Sequence, residues 1–188
     1  MRLEDRLCAI LAQAPGLMRV LAVAREIDLP DWLVFSGAVY GPVWNHLTGR
    51  PPDHGLADYD LGYFDASDIS YEAEDAVIRR VAAAFEPSLR DLVEVRNQAR
   101  VHLWFEDHFG EPYAPLACAA EALERFAAPA FAVGVRLERD GRLTIVAPFG
   151  LDDVFAMRIR PNPRRRVSGL SRIIDKARTR WPEIEVIA

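Results

Sequence analysis

Residues 32–65 read WLVFSGAVYGPVWNHLTGRPPDHGLADYDLGYFD: an apolar run, a small-residue turn, an amphipathic stretch, a polar loop and a second run carrying two aspartates. Residues 32–35 have the length and apolarity of a buried strand. Residues 58–64 predict a second strand, in which side chains alternate faces and rise about 3.3 Å per residue. Asp58 and Asp60 then stand on one side, roughly 7 Å apart at Cα, while Tyr59, Leu61 and Tyr63 point the other way.

Two carboxylates side by side in a strand repel each other, and folding alone gives no reason for the pair. A divalent cation removes the difficulty. Mg²⁺, or Mn²⁺ in its place, takes hard oxygen ligands, one or two of them protein carboxylates, and leaves its other positions to water and phosphate. The turn Ser36-Gly37-Ala38 offers the other half of a phosphate site, because backbone N–H groups at a helix start face an anion. Val39, Val43, Trp44 and Leu47 follow at helical spacing, but Gly41-Pro42 interrupts them, so the helix is expected to start at or after Gly41 with the proline in its first turn.

Working outward, residues 92–97 predict a strand with Val93 and Val95 on one face and Glu94 and Arg96 on the other. Glu94 is the natural third carboxylate, able to join a metal site and to act as general base toward a hydroxyl. Its competing reading is a surface pair with Arg96. Asn97, Gln98, Arg100, His102 and Trp104 follow closely. Stacking on Trp104 and hydrogen bonds from Asn97 and His102 to a ligand explain this cluster, and so does hydrogen-bonded support for the sheet.

These residues resemble the nucleotidyltransferase superfamily, with its small turn, Asp-x-Asp on the next strand and a third carboxylate on a later one. More narrowly, the chain is similar to a small bacterial nucleotidyltransferase-like family. The matching positions are Val43-Trp44-Asn45, Asp58-Tyr59-Asp60, the NQARVHLW segment at 97–104 and APFGLDDVFAMRIRPNP at 147–163. The resemblance implies an α/β fold of the α+β kind: a nucleotidyltransferase-like mixed sheet flanked by helices, with a C-terminal β-hairpin and helix, as a single domain over residues 1–188. It further implies an NTP substrate, catalysis and metal binding by Asp58, Asp60 and Glu94, and nucleotide contacts from Ser36, Gly37, Ala38, Asn97, His102 and Arg160. The acceptor and the oligomeric state stay unassigned.

Elsewhere the chain is ordinary. Its 188 residues, 51% hydrophobic and 27% charged, can bury a full core. No apolar run approaches the roughly 20 residues of a membrane span, so no membrane partner and a cytoplasmic location are expected. Cys8 and Cys118 lack metal spacing and read as buried thiols. A net charge of −5 argues against duplex nucleic acid as a partner. The charge is uneven: residues 50–75 hold eight acids and one arginine, residues 158–180 nine basic residues and one acid. Either an acidic metal site faces a basic wall, with Arg158, Arg160 and Arg164 to Arg166 as phosphate ligands, or a basic helix lies solvated near an acidic loop.

The remaining elements follow from periodicity and breakers. Residues 2–13 and 16–27 predict helices split by Ala14-Pro15-Gly16. Residues 49–57 predict a loop, where His54 either touches substrate or is solvated. Residues 70–85 predict a helix capped by Ser70, with Asp65, Asp68, Glu72, Glu74 and Asp75 as cap and surface charges. Helices are expected at 118–126 and 167–181, a helical turn at 151–157, an extended run at 159–163, and a hairpin at 131–137 and 142–146 around Asp140-Gly141. The functional reading is metal-dependent transfer of a nucleoside monophosphate from an NTP to an acceptor. Its rivals are a non-catalytic domain of the same fold that binds a nucleotide or a protein and, more weakly, a phosphohydrolase.

Overall fold

In the computed structural model, which describes residues 1–187, helices α1 (Leu3–Leu11) and α2 (Pro15–Ile27) are bent 94° from one another. Next come β1 (Leu33–Phe35), α3 (Gly37–Leu47), β2 (Tyr59–Tyr63), α4 (Tyr71–Ala84), the single turn α5 (Pro87–Arg90) and β3 (Val93–Asn97). A 3-10 turn, Gln98–Leu103, runs into α6 (Phe105–Phe109) and then α7 (Ala120–Leu123). A second 3-10 turn, Pro129–Phe131, precedes the hairpin of β4 (Gly134–Leu137) and β5 (Leu143–Val146). The chain closes with α8 (Asp152–Phe155), β6 (Arg158–Ile159), α9 (Leu170–Arg180) and β7 (Glu185–Val186). No single helix among the described residues is long and apolar enough to cross a membrane.

The five-stranded sheet runs in the order β3-β2-β1-β4-β5, parallel only between β2 and β3. β1 is apolar on both faces because both faces are covered. Val34 lies opposite Leu61 and Val135, and Leu61 opposite Val95. All four belong to the main core with α1 to α3, where each fully buried large side chain contributes roughly 1.5–3 kcal/mol. Leu33 and Phe35 point the other way, into a smaller cluster with Leu116, Ala119, Ala122 and Leu123. The Asp31 carboxylate ties down that second cover by accepting the Ala119 N–H at 2.7 Å. Gly62 is demanded by this packing: a Cβ there would sit 2.2 Å from the Phe35 ring. Toward β2 and β3 the same face changes character and carries Asp60, Glu94 and Arg96.

Helix α3 starts at Gly37, four residues before the expected point, and keeps Pro42 in its interior. The Ser36 carbonyl accepts the N–H groups of Val39 and Tyr40 at 2.8 and 2.9 Å, which closes the first turn ahead of the proline. Burial of Ala38, Val39, Val43 and Trp44 offsets the bond that Pro42 cannot donate. The next residue, Asn45, is 1% exposed and uses its amide fully on distant chain. Its Nδ2 donates to the carbonyls of Pro52 and His54 at 3.0 and 2.9 Å, and its Oδ1 accepts Trp181 Nε1 at 2.7 Å. Trp44 Nε1 donates to the Val154 carbonyl at 2.8 Å, and the Trp44 and Trp181 rings meet edge to face at 5.2 Å. The 49–57 loop is thereby pinned to both α3 and the end of α9.

Several boundaries differ from expectation. The 118–126 helix shrinks to α7, residues 131–133 form a 3-10 turn and its exit instead of strand, and the last helix begins at Leu170 because Gly169 holds a left-handed φ of +76°. Cys8 and Cys118 are free and only half-buried. The β6–β7 pairing was not anticipated, since two-residue strands carry no periodicity.

Asn45→Ala removes three hydrogen bonds and leaves the buried Trp181 Nε1 without its partner. It is expected to cost about 2–4 kcal/mol, read as a lower urea midpoint at unchanged m.

Candidate active site

Strand alternation puts Tyr59, Leu61 and Tyr63 into the main core and leaves Asp58 and Asp60 on the opposite face. The parallel pairing with β3 sets Asp60 directly beside Glu94, and the antiparallel pairing with β1 sets it beside Phe35. Among the described residues none of the three carboxylates makes a hydrogen bond or ion pair, and Glu94 is not joined to Arg96. Asp60 feels both neighbours. Its carboxyl is raised to about 7, first by burial, then by the charges of Asp58 and Glu94, with Arg96 offsetting part of the effect.

Two clefts meet at Asp60. The first, about 490 Å³, is lined by Ser36, Gly37, Tyr40, Asp58, Asp60, Lys176 and Arg180. Ser36 forms its floor in a strained conformation, φ 56° and ψ −123°, of a kind that costs about 1–3 kcal/mol and clusters at functional sites. Its N–H is held by the Val133 carbonyl at 2.9 Å, and its hydroxyl makes no cap bond to α3. The N–H groups of Gly37 and Ala38, which have no acceptor among the described residues, therefore open on the cleft at the positive end of the dipole of an 11-residue helix. Lys176 and Arg180, four residues apart on α9, face them and form no ion pair among the described residues. The Arg180 stem lies over Gly55, and its carbonyl is bonded to His54 Nε2 at 3.1 Å, so the pinned loop positions this guanidinium. Tyr40 stands between acids and base; burial, then Asp60 and Asp58, push its hydroxyl up to about 12 against the pull of Arg180.

The second cleft, about 190 Å³, is lined by Asp60, Glu94, Arg96, Trp104, Phe105, Tyr113, Arg125 and Arg165 among others. A larger depression of about 840 Å³ lies between the end of α2 and the β4–β5 hairpin, but its charges pair with one another, Arg139 with Asp28 and Arg142 with Asp140. It has no unpartnered group of the kind the two smaller clefts hold.

A divalent cation suits the donor chemistry of the three acids. They offer hard oxygens alone, without thiol or imidazole, and the raised Asp60 marks a cluster short of positive charge. The described residues do not gather three such side chains at ligand distance, and Asp60 is the member common to both clefts.

Other nominated residues serve the frame. Asn97 is buried, its Oδ1 accepting from Asp65 N and Ala99 N at 3.1 Å and its Nδ2 donating to the Asp65 carbonyl at 2.8 Å. Glu74 is not the surface charge expected but 6% exposed, accepting the Asn97 N–H at 2.8 Å and ion-paired to Arg100. Arg160 is bonded to the buried Asp153 at 2.7 Å, with Arg158 at 3.8 Å from the same carboxylate. Asn162 clamps the carbonyls of Glu124 and Phe126. His102 lines neither cleft, and its buried Nδ1 has no partner among the described residues. Ala38 turns its side chain into the core while Ser36 and Gly37 face the first cleft. Sequence reasoning missed Tyr40, Lys176 and Arg180. The spacing of Lys176 and Arg180 on one helical face was a usable signal, whereas nothing local marked Tyr40.

A family model described as Nucleotidyltransferase matches residues 22–186. A solved NMR structure described as revealing a CCA-adding enzyme head domain superposes with a TM-score of 0.76 over 97% of this chain and 95% of that one, at 20% identity, a likeness of fold. No curated protein matches the chain.

With its carboxyl raised from 3.8 to about 7, Asp60 binds its proton more tightly folded than unfolded, so its contribution makes stability fall as pH rises between those values. Asp60→Asn removes that decline. In EDTA, the variant's advantage in urea midpoint over the parent should be small near pH 4, grow to pH 7 and then level off; an advantage independent of pH contradicts the burial of this charge.

Proposed function

The chain belongs to the nucleotidyltransferase family, and on that premise we propose that it transfers a nucleoside monophosphate group from an NTP to an acceptor hydroxyl at the junction of the two clefts. One observation carries the reading: a half-buried, repelled carboxylate, Asp60, lies between a helix start faced by two unpaired cations and a second cleft that holds Glu94. That combination suits a polyphosphate on one side and a nucleophile on the other.

In this reading the N–H groups after Ser36, together with Lys176 and Arg180, bind and orient the triphosphate in the first cleft. Tyr40, kept protonated, adds a hydrogen-bond donor. Asp58 and Asp60, joined by Glu94, would hold Mg²⁺ or Mn²⁺, which supplies positive charge to the phosphoryl oxygens. Glu94 takes the proton of the acceptor hydroxyl. The acceptor oxygen bonds to the α-phosphorus as the bond from that phosphorus to its bridging oxygen breaks, and pyrophosphate leaves with the electron pair. The chain's share of the catalysis is positioning and charge neutralisation.

A second reading, nucleotide binding without turnover, is favoured by the three acids not being gathered at ligand distance among the described residues. Pyrophosphate release separates the two. With Mg²⁺ and each NTP in turn, release should fall at least ~100-fold in Asp58→Ala and Asp60→Ala, while Lys176→Gln raises KM by roughly tenfold with a smaller change in kcat. NTP binding by calorimetry that needs Mg²⁺, with no pyrophosphate released under any condition, would establish the second reading.

A further inference from the structure

The two clefts share Asp60 but divide the other carboxylates: Asp58 lines only the first and Glu94 only the second. In an in-line displacement the nucleophile arrives opposite the leaving group. A triphosphate along Gly37, Lys176 and Arg180 therefore leaves the Glu94 side for the attacking hydroxyl. This inference rests on the transfer reaction proposed above and adds what the acceptor is made of.

The second cleft has a definite chemistry. Phe105 and Tyr113 stack with ring centroids 4.4 Å apart and planes at 37°, and Trp104 lies 6.1 Å from Phe105 at 38°. Phe105 and Tyr113 cover one another, and Arg165 and Arg125 lie over Tyr113 at 5.5 and 5.9 Å, so Trp104 is the ring left to stack on a planar group. Arg165 lies over Phe105 at 5.0 Å, but its charge is answered by Glu111 at 2.7 Å. Arg96 and Arg125 have no ion-pair partner among the described residues. Arg96 Nη1 donates to the Val95 carbonyl at 3.0 Å, but with no carboxylate to answer them the two guanidiniums beside an aromatic wall attract a ring-bearing anion and repel a polycation. The volume of about 190 Å³ lies below the ~300–1,000 Å³ of a whole small-molecule site, so the cleft encloses little more than one planar ring and leaves the sugar and phosphate at its mouth.

We propose that the second cleft is the acceptor subsite, and that it selects a nucleotide unit, with its base against Trp104 and its phosphate toward Arg96 and Arg125. The unit's hydroxyl gives its proton to Glu94, its oxygen forms the bond to the α-phosphorus of the NTP, and pyrophosphate departs with the electrons of the bond that breaks. A free mononucleotide and the end of an RNA strand present the same unit.

The test uses the full chain with Mg²⁺ and α,β-methylene-ATP, which fills the first cleft and cannot react. Adenosine 5′-monophosphate, an eight-residue oligoribonucleotide and the cationic amino sugar kanamycin are then titrated separately by calorimetry. The expected result is that AMP binds, that Trp104→Leu and Arg125→Gln each weaken it roughly tenfold, and that neither changes affinity for the analogue. Lys176→Gln should do the reverse. Arg96→Gln, on an exposed residue, carries the same expectation as Arg125→Gln should Trp104→Leu fail to fold. An oligoribonucleotide binding more tightly than AMP, with the same loss in the variants, identifies a strand end; equal or weaker binding identifies the free nucleotide. The inference is overturned if the analogue binds and neither AMP nor the oligoribonucleotide does, if Trp104→Leu weakens the analogue instead, or if kanamycin displaces AMP. Failure of the analogue itself to bind would remove the transfer reaction as well.

Discussion

A half-buried carboxylate with two acidic neighbours is the condition around which this molecule is arranged. Asp60 sits beside Glu94 across the β2–β3 ladder and two residues from Asp58, and it is buried enough to be raised to about 7. Folding gains nothing from that arrangement, so the stability that tolerates it comes from elsewhere. The main face of the sheet supplies it through an apolar layer under α1 to α3, and the Trp44, Asn45 and Trp181 contacts lock α3, the 49–57 loop and α9 into one body. The same lock fixes the strained Ser36 turn opposite the acids.

Two groups of cations do different work, apart from surface arginines such as Arg80, Arg166, Arg172 and Arg178 that neither pair nor border a cleft among the described residues. Arg100, Arg158, Arg160, Arg164 and Arg165 are answered by Glu74, Asp153 or Glu185, Glu124 and Glu111, and all but the contacts to Asp153 hold segments far apart in the chain. Lys176, Arg180, Arg96 and Arg125 have no such partner among the described residues, and all four border the clefts that meet at Asp60. Cations already paired to carboxylates have little attraction left for a phosphate. The cations that border the clefts are therefore ones left free to meet a phosphate.

This division also explains the motifs that carry the family resemblance. Much of the NQARVHLW and RPNP segments is scaffold: Asn97 and Glu74 close the end of β3, and Asn162 fastens the 124–127 segment. Trp104 belongs to a cleft, whereas Asn97 spends its amide on the chain itself. A motif rich in polar residues can be read as a binding site when its hydrogen bonds are in fact made internally, because sequence does not show which partners a side chain meets.

Period-2 alternation in residues 58–64, the helical spacing of α1, α2 and α4, the Ser70 cap and the Asp140-Gly141 turn were legible because each depends on neighbours a few residues away. So were the side-by-side placement of Asp58 and Asp60 and the later strand carrying Glu94. The register that sets Asp60 beside Glu94, the start of α3 ahead of Pro42 and the burial of Glu74 depended on contacts between distant segments. The opposition of Lys176 and Arg180 to the Ser36 turn is of the same kind, since α9 is held there by contacts of Trp181 with Asn45 and of Arg180 with His54, far away in the chain. Local spacing determines which faces exist and what chemistry they carry; which faces meet, and which charges are left free when they do, is decided by packing across the whole chain.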